Sequence, residues 1–147
     1  LINQLVDRWR KLSPGATAPN VSLQDGDGNA LYLKDLRGKY LYISVWAFSY
    51  GEMDKEVRAE WEKLAEEYKD KNILFATFCM GPSQWLGQVK NLPGEHYVVN
   101  NTNAFYSRYM ISVMPRYMLI DPEGRIVDVD APKPSSSAKL LLRSVGL

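Results

Sequence analysis

The sequence predicts an α/β protein in which helices cover both faces of a central mixed sheet. Two nearly continuous apolar runs, at 40–48 and 73–80, are typical of strands that are buried on both faces, as in the interior of a parallel sheet. The segment between them carries apolar residues at helical spacing, so the order strand, helix, strand indicates a right-handed crossover between parallel strands. Turn-rich hairpins on either side of this unit predict antiparallel strands at the edges.

The composition narrows the class of protein. The chain has 147 residues, of which 46% are hydrophobic and 24% are charged, and 18 basic against 17 acidic residues leave a net charge of +1. This is ordinary globular composition for about one domain, and the charge balance gives no reason to expect nucleic acid as a partner. No apolar run in the segment reaches the ~20 residues that a membrane-spanning helix needs. The single cysteine, Cys79, has no partner for an intrachain disulfide.

The N-terminal part of the chain divides at a turn. Residues 1–14 have helical apolar spacing that ends at Ser13-Pro14-Gly15, and we interpret them as the helical tail of a trimmed upstream region, with the domain itself at 15–147. Residues 21–33 form an N-terminal β-hairpin around an Asp/Gly/Asn turn. Asp25 and Asp27 in that turn also resemble a calcium loop, but the position that would need an acidic ligand is Leu36.

The remaining elements follow in chain order. The first helix carries one apolar stripe, formed by Val57, Trp61, Leu64, Ala65 and Tyr68. After the second buried strand, Ser83 is predicted to cap a short helix, and 96–99 form a short strand. A helix at 102–110 precedes a hairpin at 116–129 whose turn is Asp121-Pro122-Glu123-Gly124. A helix at 135–145 with Gly146 past its end closes the domain.

Several short segments together resemble thioredoxin-like proteins of the bacterial envelope, the TlpA/ResA type. The segments that carry the resemblance are Gly15-Ala16-Thr17-Ala18-Pro19, Asp35-Leu36-Arg37-Gly38-Lys39, Trp46-Ala47, Lys55-Glu56, Met114-Pro115 and Ile120-Asp121-Pro122-Glu123-Gly124. They occur in the family's order across about 15–130. The resemblance implies a thioredoxin-like fold, a thiol-disulfide oxidoreductase family, a location in the periplasm or cell envelope, and a tether to an upstream domain.

The motif that carries the family's chemistry is absent. Where the resemblance places Cys-x-x-Cys, this chain has Tyr50-Gly51-Glu52-Met53. A phenol and a thioether cannot replace the two thiols, because exchange needs one thiolate to attack and a second thiol to resolve the mixed disulfide. The resemblance therefore implies a vestigial active-site groove made of Trp46, Ser49, Tyr50, Gly51, Glu52, Met53, Met114, Pro115 and Arg116, with no catalytic residue assigned.

Two interpretations of the substituted motif stay open. In the first, Ser49 and Glu52 form a capping box, and Phe48 and Met53 form a hydrophobic staple, so that the segment is a conventional helix start. In the second, the groove is reshaped to bind a ligand, and Tyr50 presents a hydroxyl and a flat apolar face. The resemblance also implies a cis peptide bond at Met114-Pro115, beside which an extended peptide can add as a strand.

The other residues with chemical potential each have alternatives. Arg116 either pairs with Glu52 or a bound anion, or is a solvated arginine at a strand start. Cys79 is expected to be a buried, inert thiol, the alternative being a monothiol redox role. His96, the only histidine, is expected to be solvated at the surface, and one histidine with one cysteine does not make a metal site.

These observations predict a redox-inactive domain that binds a protein or peptide partner at the vestigial groove or serves as a scaffold. The alternatives are an enzyme of the thiol-disulfide oxidoreductase family that uses Cys79, and a purely structural domain of a larger envelope protein. No cofactor, metal or nucleic acid is expected.

Overall fold

A mixed sheet with two parallel pairs at its centre organises the chain. The computed structural model describes residues 10–47 and 55–147, and within them the sheet has seven strands in the order β2-β1-β5-β4-β3-β6-β7. Strands β3 and β4 pair in parallel, as do β4 and β5, and the other neighbours are antiparallel. The strands are β1 (Ser22–Gln24), β2 (Ala30–Tyr32), β3 (Tyr40–Trp46), β4 (Ile73–Cys79), β5 (Glu95–Val99), β6 (Arg116–Ile120) and β7 (Ile126–Asp128).

Three α-helices in the described residues cover the two faces of this sheet. They are α1 (Lys55–Glu67), α2 (Thr102–Arg108) and α3 (Ser136–Ser144), and 3₁₀ turns occupy Leu33–Leu36 and Ser83–Gln88. Helices α1 and α3 pack on one face through residues such as Trp61 and Leu142. Helix α2 packs on the other face through Phe105. The mixed sheet covered on both faces confirms the predicted fold class.

The alternation of side chains along the strands divides the interior into two cores. In β3, Leu41, Ile43 and Val45 face the core beneath α2, whereas Tyr42 belongs to the core beneath α1. This is the period-2 pattern of a strand that is buried on both faces. The continuous apolar runs in β3 and β4 therefore supply both cores at once.

Two large side chains in the core beneath α1 have polar atoms that anchor distant loops. Trp61 is fully buried, and its indole Nε1–H donates to the Pro93 carbonyl at 2.8 Å. The hydroxyl of Tyr42, equally buried, donates to the Pro132 carbonyl at 2.6 Å. These bonds satisfy polar atoms that would otherwise be costly to bury, so both loops are tied to the core.

The hairpins and the closing helix agree with the sequence-based predictions. In the first hairpin Leu23 pairs with Leu31, and in the second the Gly124 amide donates to the Asp121 carbonyl at 3.0 Å. Helix α3 is capped by Ser135, whose hydroxyl accepts from the Ala138 amide. These are the positions that turn residues and an N-cap serine favour.

Two local predictions differ from the structure, and a third, the tail at 1–14, stays a prediction. Ser83 is the first residue of its 3₁₀ turn and does not cap it, because the cap position is Pro82, which has no side-chain hydrogen bond. Helix α2 ends at Arg108, before the predicted Met110, because Met110 adopts a left-handed φ of 50° that cannot continue a helix. Of the predicted tail at 1–14, residues 1–9 lie outside the described residues, and Leu12 is buried in the core beneath α2.

None of the helices within residues 10–47 and 55–147 is both long and apolar enough to cross a bilayer.

The loop before β5 depends on a glycine, and this predicts a selective loss of stability. Gly94 has a φ of +113°, and a Cβ atom placed there would lie 2.3 Å from the Phe75 carbonyl oxygen. We expect Gly94→Ala to lower the free energy of unfolding by about 2 kcal/mol or more, since it combines left-handed strain with a clash against backbone. Urea denaturation with an unchanged m-value measures this loss.

The matched control is Gly87→Ala. A Cβ atom at Gly87 meets nothing within 4 Å, and its φ is not left-handed. We expect a change within about 1 kcal/mol, stabilising if anything. Equal losses in the two variants would contradict the role assigned to Gly94.

Candidate functional site

The segment that leads into β6 presents an apolar surface to solvent. The Met114–Pro115 peptide bond is cis, which confirms that prediction. Val113 is 72% exposed, Pro115 is also exposed, and Met114 is half-buried. Large apolar side chains exposed to this degree are few in the described residues, the others being Tyr32 and Leu140. We call residues 113–115 the cis-proline loop.

The backbone of the cis-proline loop is also unpaired. Within the described part of the chain, the N–H and C=O groups of Val113 and Met114 make no hydrogen bond. Ladder pairing begins only at Arg116, which lies opposite Val45 of β3. The loop therefore offers backbone donors and acceptors together with apolar side chains, which is the combination that an extended peptide requires.

Strand pairing places several predicted site residues at one edge of the sheet. Trp46 and Cys79 end the parallel strands β3 and β4 as register partners, and the Met80 amide donates to the Trp46 carbonyl at 2.8 Å. Because β6 runs antiparallel to β3, Pro115 lies at this same edge. Trp46 is half-buried, and its Nε1 is buried without a partner among the described residues. The predicted site residues Ser49, Tyr50, Gly51, Glu52 and Met53 lie outside the described residues.

Cys79 lies at this edge as a fully buried thiol. Its side chain is 0% exposed. Burial raises the pKa of the Cys79 thiol to about 11, and a hydrogen bond from the Gly81 backbone offsets only part of this rise. A thiol of this kind is protonated at neutral pH and shielded from reagents. The prediction that Cys79 is buried is confirmed.

Arg116 is buried, so of its two alternatives the solvated arginine is wrong. Its guanidinium NH1 group donates to the carbonyls of Tyr109 at 3.4 Å and Val129 at 3.2 Å, and NH2 donates to the Met110 carbonyl at 3.2 Å. Its Nε lies 3.7 Å from the carboxylate of Asp130, which is 77% exposed. The guanidinium thus joins the end of α2 to the chain after β7 at the base of the cis-proline loop. The alternative pairing with Glu52 falls outside the described residues.

His96 is half-buried and both of its ring nitrogens have hydrogen-bond partners, so the prediction of a solvated surface histidine is also wrong. Its Nε2 lies 2.8 Å from the Leu92 carbonyl, and its Nδ1 lies 2.7 Å from the hydroxyl of Thr77, which is 0% exposed. A carbonyl only accepts, so Nε2 carries the proton and Nδ1 of the neutral ring accepts from Thr77. Burial is the largest influence on His96 and lowers the pKa of its imidazole below 6.5, although the Leu92 carbonyl and Glu95 act in the opposite direction.

No three His, Cys, Asp or Glu side chains converge within residues 10–47 and 55–147, so the described residues offer no metal site.

The sequence analysis missed two residues near the cis-proline loop, Val113 and Asp130. Nothing in the sequence marks either one, since Val113 is a single apolar residue before Met-Pro and Asp130 is one acid among many. The structure identifies Val113 by the exposure of its side chain and Asp130 by its ion pair with Arg116.

Comparisons of the sequence with known proteins agree on the family that it resembles. A family model described as Redoxin matches residues 13–141. Thiol-disulfide oxidoreductase ResA from Bacillus subtilis is 27% identical over 126 residues, which cover 80% of this chain and 67% of the relative. ResA from Bacillus cereus is 24% identical over 123 residues, covering 80% of this chain and 69% of that protein.

Solved structures give the same result for the fold. A candidate thiol-disulfide oxidoreductase from Bacteroides vulgatus superposes with a TM-score of 0.77 at 29% identity, covering 93% of this chain and 99% of that one. A thiol-disulfide oxidoreductase from Bacteroides fragilis superposes with a TM-score of 0.74 at 23% identity, covering 88% and 98% of the two chains. The thioredoxin-like fold predicted from the sequence is confirmed.

The contacts of Arg116 predict a large loss of stability on its removal. We expect Arg116→Met to lower the free energy of unfolding by about 2–4 kcal/mol, because two buried carbonyls and one part-buried carbonyl lose their donor. Asp130→Asn is the matched control, and its loss should stay below about 1 kcal/mol because the carboxylate is exposed. Urea denaturation compares the two variants. Similar losses would mean that the ion pair, and not the carbonyl contacts, carries the effect of Arg116.

The half-buried, neutral His96 predicts a dependence of stability on pH. Because its folded-state pKa lies below the unfolded value of 6.5, its stabilising contribution is complete above about pH 6.5 and is lost as the pH falls below that value. We expect the free energy of unfolding to fall more steeply between pH 7 and 5 in the wild type than in His96→Gln. Urea denaturation at several pH values measures both slopes. Parallel slopes would show that protonation of another group dominates this range.

Proposed function

The chain belongs to the Redoxin family, and we propose that it is a redox-inactive thioredoxin-like domain whose cis-proline loop binds an extended segment of a protein partner. It belongs to the thiol-disulfide oxidoreductase family by fold and by sequence similarity. The observation that carries the proposal is that the family's chemistry needs two thiols, whereas this chain has one cysteine, which is buried.

The protonation state of Cys79 supports redox inactivity. With a pKa of about 11, about one thiol in ten thousand is a thiolate at pH 7. The thiolate is the nucleophile in disulfide exchange, and Cys79 is also fully buried, so a substrate disulfide cannot reach it. These facts disfavour the alternative enzyme that uses Cys79 alone.

The exposed cis-proline loop supports peptide binding over a purely structural role. Unpaired backbone groups at Val113 and Met114 would add a peptide strand, and the exposed Val113 side chain would pack against it. The half-buried Trp46 at the same edge would add an aromatic contact. Tyr50, in the segment that replaces the redox motif, is proposed to complete this groove.

The location and the tether are also part of the proposal. A cell-envelope or periplasmic site, and attachment to an upstream domain, follow from the similarity to the thiol-disulfide oxidoreductases named above. The proposed partner is therefore another protein of that compartment.

The redox part of the proposal predicts that the domain does not accelerate reduction of insulin by dithiothreitol. The variant Tyr50→Cys, Met53→Cys restores the family's spacing and should gain reductase activity, measured by insulin turbidity. A further Glu52→Pro change should raise the activity by removing a negative charge beside the new thiolate. Catalysis by the wild type that survives Cys79→Ser would contradict the proposal.

The binding part predicts that a charge in the cis-proline loop weakens peptide binding. Peptides would be selected on the wild-type domain from a displayed library of random sequences, and their affinities measured by fluorescence anisotropy. We expect Val113→Asp to weaken binding about tenfold, or 1.4 kcal/mol, because an apolar contact is replaced by a charge that the peptide cannot pair.

The matched control is Leu140→Asp, which places the same charge on an equally apolar residue that is 64% exposed on α3. It should leave peptide affinity unchanged. If no peptide is selected, or if Val113→Asp binds as well as Leu140→Asp, the cis-proline loop is not the binding surface.

A further inference from the structure

A cavity lies between the first hairpin and α2, away from the cis-proline loop. Its volume is about 250 Å³, and it is lined by Asn20, Val21, Ser22, Tyr32, Asn101, Ala104, Phe105 and Arg108. This approaches the ~300–1,000 Å³ of ordinary small-molecule sites. In the sheet order, β5, β4 and β3 separate β1 from β6. We call this cavity the hairpin groove.

One part of the hairpin groove is apolar and aromatic. Phe105 and Val21 are 2% and 6% exposed and belong to the core beneath α2. Tyr32 is 48% exposed, and Lys34 Nζ lies 5.6 Å from the centre of its ring. A flat, apolar group in the groove can therefore stack against an exposed aromatic face.

Three side-chain oxygens on the polar rim of the groove already accept one hydrogen bond each. The side-chain oxygen of Asn20 accepts from the Lys34 amide at 3.1 Å, and that of Asn101 accepts from the Ala104 amide at 3.0 Å. The Ser22 hydroxyl oxygen accepts from Asn100 at 2.9 Å. Each of these bonds fixes the orientation of its group, so the NH₂ groups of both asparagines and the hydroxyl hydrogen of Ser22 remain as donors.

Arg108 adds a cation to the groove, and most of its N–H donors are free among the described residues. Its NH1 donates to the Asn20 carbonyl at 3.1 Å, and it makes no other hydrogen bond within the described residues. Four of the five N–H groups of a guanidinium then remain, including those on the Nε–NH2 edge that can bind a carboxylate in a bidentate manner. Lys34 places a second cation 5.6 Å from the centre of the Tyr32 ring, while the Asp35 carboxylate accepts from the Tyr32 amide at 2.8 Å.

From this inventory we infer that the hairpin groove binds a small carboxylate that carries a flat apolar ring. An ionised carboxylate is a hydrogen-bond acceptor only, which complements the free N–H and O–H donors of the rim. The guanidinium of Arg108 holds the carboxylate, and the ring lies against Tyr32 and Phe105. This inference does not rest on peptide binding at the cis-proline loop.

Benzoate is the probe, and amide NMR spectra of the ¹⁵N-labelled domain are the measurement. Saturable shifts at residues 20–22 and 101–108, with a dissociation constant of about 1 mM, support the inference. Benzamide, which has the same ring without the charge, should bind at least about tenfold more weakly. Equal binding of benzamide would overturn the role of the rim, and equal binding of inorganic phosphate would overturn the role of the ring.

Variants test the two halves of the groove separately. Arg108→Gln should weaken benzoate binding about tenfold, and Arg108→Lys should lose less because it keeps the charge but not the bidentate geometry. Tyr32→Ser, which removes the ring, should weaken benzoate binding whether or not Arg108 is also replaced. Tyr32→Phe, which keeps the ring, should leave benzoate binding unchanged. The control Arg143→Gln removes an exposed arginine from α3 and should leave binding unchanged. Equal losses in Arg108→Gln and Arg143→Gln, or no loss in Tyr32→Ser, would overturn the assignment.

Discussion

The pairing of β3 with β4 is the constraint on which the rest of the structure depends. Seven consecutive residues pair, from Tyr40 with Ile73 to Trp46 with Cys79. Because side chains alternate between faces, a slip of β3 by one residue against β4 would turn each β3 side chain toward the opposite core. Tyr42 would then leave its aromatic partners Trp61 and Tyr117, which it meets at 5.8 and 5.9 Å between ring centres.

The same register sets a row of polar side chains across the sheet. Tyr117, Ser44, Thr77 and His96 are successive partners across β6, β3, β4 and β5. Polar atoms in such a place are costly unless they bond to one another, and Thr77 and His96 do so. Ser44 Oγ has no hydrogen-bond partner among the described residues. In β3 and β4 this row lies two residues before Trp46 and Cys79. The Cys79 thiol therefore lies between the polar row and the end of the strand.

Sequence patterns predicted the parts of the fold that periodicity controls. The hairpin at 21–33, the parallel crossover and the stripe on α1 follow from spacing, and the structure contains all three. Spacing could not predict His96 or Arg116, because their partners are the backbone carbonyls of residues such as Leu92 and Val129. Every residue carries a carbonyl, so nothing in the sequence marks the ones that a folded chain brings to a buried side chain.

The contacts that hold the sheet edge do not involve a cysteine pair. The pairing of Val45 with Arg116, the carbonyl contacts of Arg116 and the bond from Met80 to Trp46 position the cis-proline loop. A chain can therefore lose the family's thiols and keep this edge, since stability and exchange chemistry rest on different atoms.

Under the two proposals, the domain has two surfaces that work by different physics. At the cis-proline loop, neutral backbone groups and an apolar side chain would bind, and such contacts respond weakly to salt. In the hairpin groove, an exposed guanidinium dominates, so binding there would weaken as ionic strength rises. A change in ionic strength would thus alter occupation of the hairpin groove and leave occupation of the cis-proline loop nearly unchanged. Under the two proposals, one small domain could bind a protein partner and an anion independently.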